Sequence, residues 1–133
     1  CVEAFPNGYT FSPPAESTWL AWYAAAKDFT GYLRWAFNSW TVDPLKDSRF
    51  TSWPGGDTYQ IYPGPRSSIR LEKLREGIQD YEKIQIILQD NSTSGIQRAE
   101  ELKNFLTTIN ISELKQTKAQ DMLQPGKKIL NSE

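Results

Sequence analysis

The sequence has no histidine and one cysteine, Cys1, among its 133 residues. A lone thiol can form no disulfide within the chain. Without histidine, the usual His/Cys zinc sites, Ser-His-Asp triads and Cys-His pairs are all excluded. Neither sign of charge is in excess. A net charge of -1 and a pI near 5.6 leave no field to gather nucleic acid or an anionic membrane surface. No apolar run approaches the roughly 20 residues that cross a bilayer. The opening "CVEAFPNGY" lacks the basic and then apolar pattern of a leader, so the expectation is a cytosolic chain or one whose leader is missing.

What the chain does have is unevenly placed. It is 38% hydrophobic and 23% charged, a composition that supports one folded core. All five tryptophans lie within the first 53 residues, and 15 of the 17 aromatics precede Pro63. Seven of the eight prolines fall before residue 66, after which Leu, Ile, Glu, Lys and Gln dominate, as in helices.

Residues 12 to 29, "SPPAESTWLAWYAAAKDF", read as a helix with Ser12 as N-cap, Pro13 or Pro14 in its first turn and Gly31 as its stop. Trp19 and Trp22 recur at helical spacing and are assigned to helix packing. "YLRWAF" alternates like a strand, with Leu33, Trp35 and Phe37 on one side and Tyr32, Arg34, Ala36 and Asn38 on the other. Trp35 is assigned to the core. "TYQIYPG", residues 58 to 64, reads as a second short strand.

Ser67 or Ser68 then caps a long helix whose apolar face is read as Leu71, Leu74, Ile78, Tyr81 and Leu88. Gly77 in its middle implies close packing on a neighbour. The cluster Glu72, Lys73, Arg75 and Glu76 is read as a solvated face. A further helix spans about Gly95 to Thr107, with Ile96, Ala99, Leu102, Phe105 and Leu106 inward, and Pro125 and Gly126 are expected to interrupt the tail. Two strands are too few for an independent sheet, so a larger sheet or barrel is expected to supply the rest.

"GYLRWAFNSW", "DP" at Asp43 and Pro44, "GGDTYQIYPG" and "SSIRLEKLREGIQDYE", in that order and spacing, resemble the C-terminal part of the catalytic domain of glycoside hydrolase family 123. The resemblance covers roughly residues 6 to 84. It implies an α/β fold, the last two βα units of a (β/α)8 barrel plus terminal helices, mostly helical as an isolated chain. Residues 1–90 would end the barrel and 91–133 would be a helical extension of the same domain.

The resemblance also implies β-N-acetylgalactosaminidase chemistry, in which the substrate's own 2-acetamido group attacks the anomeric carbon beside an Asp-Glu pair. No Asp-Glu dipeptide occurs in this sequence, so no catalytic residue is assigned and the isolated chain is expected to be inactive. The partners implied are a glycan substrate and the upstream remainder of the barrel, with no cofactor or metal, and the parent is expected outside the cytoplasm.

In such a barrel, ligands meet the C-terminal ends of strands, which selects Asn38, Trp40, Tyr62 and Arg66 as substrate-binding candidates. Asp57 falls at the opposite end. Arg34, pointing inward, would need an acidic partner from an upstream strand. Exposed strand edges would favour self-association of the isolated chain. The competing expectation is a free-standing carbohydrate-binding or protein-interaction module that uses the aromatic half as its surface.

Overall fold

The computed structural model describes residues 5–49, 53–56 and 59–132. Among these residues the chain is mostly helical, with helices α1 (Ala15–Ala26), α2 (Ile69–Leu88), α3 (Thr93–Leu106) and α4 (Ala119–Asn131) and a short 3-10 turn at Ile111–Lys115. Their shared core runs from Trp19 to Leu130 and takes in Ile84, Leu102, Leu106 and Leu123.

α1 begins differently from its sequence reading. Pro14 occupies the N-cap position in helical conformation with no side-chain cap. Ser12 is held instead in a turn, its amide donating to the Tyr9 carbonyl. The first-turn acid has been turned to another use, since the Glu16 carboxylate accepts the Asn7 amide at 2.8 Å. Burial pushes the Glu16 carboxyl above the usual range, partly countered by that bond.

The helix stops at Ala26, five residues before Gly31. Asp28 takes the left-handed conformation at φ 56. The Phe29 amide reaches back to the Ala24 carbonyl at 2.8 Å, and that of Asp28 to Ala25 at 3.3 Å, the two bonds of a Schellman reversal.

Ser68 caps α2 by accepting the Leu71 amide, as its position in the sequence implies. The buried stripe is Arg70, Gly77, Asp80, Ile84 and Ile87, rotated from the Leu71-Leu74-Ile78-Tyr81 face, and Ile78 is exposed. Gly77 explains the rotation. A Cβ there would lie 2.9 Å from the Thr18 carbonyl oxygen and 3.0 Å from the Ala21 Cβ, so α1 seats directly on this glycine. Helices approach most closely where side chains are smallest, and the stripe is chosen by Gly77 more than by hydrophobicity.

α3 starts at Thr93, capped by Ser92, and buries Ala99, Leu102 and Leu106 while leaving Ile96 exposed. Pro125 does not interrupt the tail. α4 runs through it, and Gly126 is buried where a Cβ would come within 2.3 Å of the Phe105 ring and 2.6 Å of the Trp22 ring. The "PG" pair is a seat for two aromatic rings.

The two anticipated strands are not formed among the described residues. Asn38 and Tyr59 make one isolated bridge, and it is antiparallel where adjacent barrel strands would be parallel. Leu33, Trp35 and Phe37 are exposed, Trp35 at 61%, so Trp35 is not a core residue here. A strand is stabilised by ladders along its edges, and the described residues offer this segment only that bridge.

Candidate functional site

The structure brings the two candidate segments together. The Gln60 amide donates to the Phe37 carbonyl at 2.7 Å beside the Asn38–Tyr59 bridge. Trp40 crosses to the same segment, its indole N–H donating to the Ile61 carbonyl at 2.7 Å. That bond anchors the loop while the ring stays partly open to solvent. Asn38 is exposed, and its side-chain amide has no partner among the described residues.

Tyr62 and Arg66 close a tight turn around "PGP". The Tyr62 amide donates to the Arg66 carbonyl at 2.9 Å, and the Arg66 guanidinium folds back to the Pro63 carbonyl at 2.6 Å. Asn38, Trp40, Tyr62 and Arg66 therefore share one rim, built from the chain following residue 37 and the turn following Ile61. Arg34, half-buried, has an interaction partner of its own. Asp57 lies outside the described residues.

Beneath the rim lies Arg70, which the sequence reading missed. It is 5% exposed, donates to the Tyr62 hydroxyl at 3.3 Å, and places its guanidinium 5.8 Å from the centres of both the Tyr59 and Tyr62 rings. The two rings meet edge to face at 5.1 Å, and burial raises the Tyr59 hydroxyl above its ordinary pKa. A Cβ at Gly56 would lie 3.2 Å from the guanidinium carbon, so this glycine leaves room for the arginine head.

The Arg70 Nε and the nearby Gln60 Oε1 are buried without a hydrogen-bond partner among the described residues. A buried cation supported chiefly by aromatic faces is costly and fixes Tyr62 firmly. No sequence signal marked it, because Arg70 sits in the first turn of a charged helix, where arginine is ordinarily solvated.

The "solvated" cluster on α2 is only half so. Arg75 and Glu72 pair at the surface at 2.9 Å. Glu76 is partly buried and binds Lys73 at 2.6 Å and also Lys127 of α4. Lys127 continues to Asp80 at 3.2 Å, and the same Asp80 oxygen accepts the Trp22 indole N–H at 2.9 Å. This chain of polar groups borders a groove of about 540 Å³ between α1, α2 and the start of α4. Two of its three lysines, Lys73 and Lys127, are already committed to Glu76, which makes the cluster a brace between helices.

Burial alone would raise the Glu76 carboxyl, but the ammonium groups of Lys127 and Lys73 outweigh it and hold the carboxyl below the usual range. A depressed folded pKa stabilises the fold above the ordinary glutamate value of about 4.3 and loses that stabilisation as pH falls through the folded value. Denaturation of Glu76→Gln followed from pH 7 down to pH 3 should therefore show a shallower acid loss than the parent. Parallel curves for the two proteins would rule out this contribution.

The described rim residues Asn38, Trp40, Tyr62 and Arg66 include no carboxylate. Asp47, one of the carboxylates of the intervening loop, is held well below the usual range by hydrogen bonds from Arg49 and is unsuited to protonating a leaving group. Among the described residues, no group of three or more His, Cys, Asp or Glu could hold a metal ion. No described helix is long and apolar enough to cross a membrane.

Residues 1–87 match the family described as glycoside hydrolase 123, catalytic domain. Among solved structures, the chain is similar to a family 123 glycoside hydrolase from Clostridium perfringens studied for glycolipid glycan hydrolysis. The TM-score is 0.72 at 29% sequence identity, and the match covers 83% of this chain and 20% of that one. The chain thus spans about one fifth of that enzyme's length. Among curated proteins, no sequence matches.

Proposed function

Because the chain belongs to the glycoside hydrolase 123 catalytic-domain family, we propose that it supplies one wall of the sugar-binding site of a longer glycoside hydrolase. The longer enzyme would be a (β/α)8 barrel that ends in this chain and acts on N-acetylhexosaminides, β-N-acetylgalactosaminides first among them. The observation that carries this reading is the rim itself, in which two sequence segments that resemble the family are joined by the Trp40–Ile61 bond.

The roles follow from the chemistry of each group. The Asn38 amide can donate to and accept from a hydroxyl or an acetamide. The Trp40 ring, pinned by its own N–H, offers its exposed surface to the C–H face of a sugar. Tyr62, held by Arg70, presents a fixed hydroxyl, and Arg66 brings a charge to the mouth of the turn. The acetamide oxygen of the substrate would be the nucleophile, while the groups that orient it and protonate the leaving oxygen would come from the rest of the enzyme, since this chain has no Asp-Glu pair.

The test is hydrolysis of an aryl β-N-acetylgalactosaminide by the longer polypeptide and by the 133-residue chain. The first should turn over and the second should not. Trp40→Ala in the longer form should raise KM about tenfold, or about 1.4 kcal/mol, through lost stacking and a loosened loop. Absence of turnover on a panel of aryl N-acetylhexosaminides would sink the proposal.

A further inference from the structure

Ser68 uses one hydroxyl for two bonds. It accepts the Leu71 amide at 3.2 Å, which caps α2, and it donates to the Gln60 carbonyl at 2.5 Å. A helix cap needs only the first of these. The second ties the helix to the segment that carries half of the rim.

Gln60 is where the two halves of that rim meet. Its amide donates to the Phe37 carbonyl at 2.7 Å, one residue before Asn38. The next carbonyl along, that of Ile61, accepts the Trp40 indole N–H, and the residue after it is Tyr62. From the same turn of α2, Arg70 reaches the Tyr62 hydroxyl at 3.3 Å. None of Asn38, Trp40, Tyr62 and Arg66 lies in a helix or a strand, so the rim takes its position from such contacts. Ser68 and Gln60 are both buried, and without the hydroxyl the carbonyl would lose a partner that water does not readily replace.

We infer that Ser68, besides capping α2, is a positioning residue for the sugar-binding rim and acts through the Gln60 carbonyl. The inference rests on the reading of that rim as one wall of a sugar site. A shift of the Gln60 carbonyl would carry the adjoining Ile61 carbonyl with it and change the angle at which the Trp40 ring is held. Misplacement by about 1 Å is enough to weaken a site.

Ser92 supplies the comparison. It caps α3 by accepting the Gly95 amide at 3.0 Å, and it lies beyond the far end of α2, about 30 Å of helix from Ser68. In the longer polypeptide, Ser68→Ala should raise KM for an aryl β-N-acetylgalactosaminide about fivefold and leave kcat within about twofold, as lost binding does. Ser92→Ala should lower the melting temperature through its own lost cap and leave KM unchanged, since a smaller folded fraction lowers turnover and not KM. Ser68→Thr keeps both acceptor and donor and should return KM to the parent value. Ser68→Ala combined with Trp40→Ala should raise KM by less than the product of the single effects, because the two share one anchor. In the 133-residue chain, Ser68→Ala should speed hydrogen exchange of the Gln60 and Tyr62 amides severalfold, and Ser92→Ala should not.

An unchanged KM in Ser68→Ala, or an equal rise in Ser92→Ala, would overturn the inference. Failure of the enzymatic reading shows separately, as a parent without turnover in which the exchange contrast between the two serines persists and still supports Ser68 as the residue that holds the rim. Loss of both results overturns both.

Discussion

Trp22→Ala should cost about 4 kcal/mol of folding stability, at the upper part of the range for removing a buried aromatic side chain. Trp22 is fully buried, meets Phe105 edge to face at 5.6 Å and covers Gly126. Its indole N–H also donates to Asp80 at 2.9 Å, across 58 positions of sequence. The substitution removes the ring and opens a cavity among α1, α3 and α4. It also leaves Asp80, itself buried, with Lys127 as its remaining partner.

Domains of this kind have about 5–15 kcal/mol in all, so a loss of that size removes a large share of the total. Trp22→Phe separates the two parts. It keeps most of the apolar volume and loses the hydrogen bond, and about 1–2 kcal/mol is expected. Urea unfolding followed by far-ultraviolet circular dichroism measures both. If Trp22→Ala cost less than 1 kcal/mol, the packing described for α4 would be incorrect.

The second large effect is a contrast between neighbours. Gly126→Val should destabilise the fold by about 3 kcal/mol, because even its Cβ would overlap two rings that are themselves wedged in the core. Pro125, one residue earlier, is exposed within the same helix and denies it an amide donor. Pro125→Ala should stabilise by about 1 kcal/mol, below the full helix-interior penalty of proline because α4 has already adapted to it. Opposite signs at adjacent positions are the expected result in thermal melts. Two destabilising substitutions would show that Pro125 shapes the helix, and two neutral ones would show that Gly126 is not a seat.

The same pair shows where the sequence was and was not legible. Local signals read well. Ser68 with the 3-4 spacing behind it places α2, and Ala99, Leu102 and Leu106 place the inner face of α3. These are properties of a few consecutive residues, decided by capping and periodicity. The face that α2 buries was not readable, because Gly77 and Asp80 win their place through partners on α1, Thr18 and Trp22, more than fifty positions away. "PG" near residue 125 reads as a break by propensity, and tertiary packing overrides it.

The strand reading of residues 32–37 rests on real alternation. Alternation prepares a segment for pairing without supplying the neighbour, and the described residues give it one bridge. At the site, Trp40 reaches the second segment through the Ile61 carbonyl, but the bridge beside it is antiparallel, unlike the parallel pairing from which Asn38, Trp40, Tyr62 and Arg66 are chosen. Arg70 escaped notice because its importance comes from burial, which a charged first helical turn does not announce.

The Schellman reversal at Asp28 sends the chain out of the bundle, and Ser68 returns it. Among the described residues, none between these two points joins the hydrophobic cluster of the helices, and the fully buried Tyr59 packs instead against Tyr62 and Arg70. α1 and α2 are instead held to each other across space, by Gly77 against Thr18 and by Trp22 against Asp80. The cost of closing a long loop depends only weakly on its length. The exposed part of the excursion, residues 29–49, can therefore lengthen, shorten or change its residues while the scaffold keeps its stability, whereas the return through Tyr59 and Tyr62 is tied to the fold by Arg70.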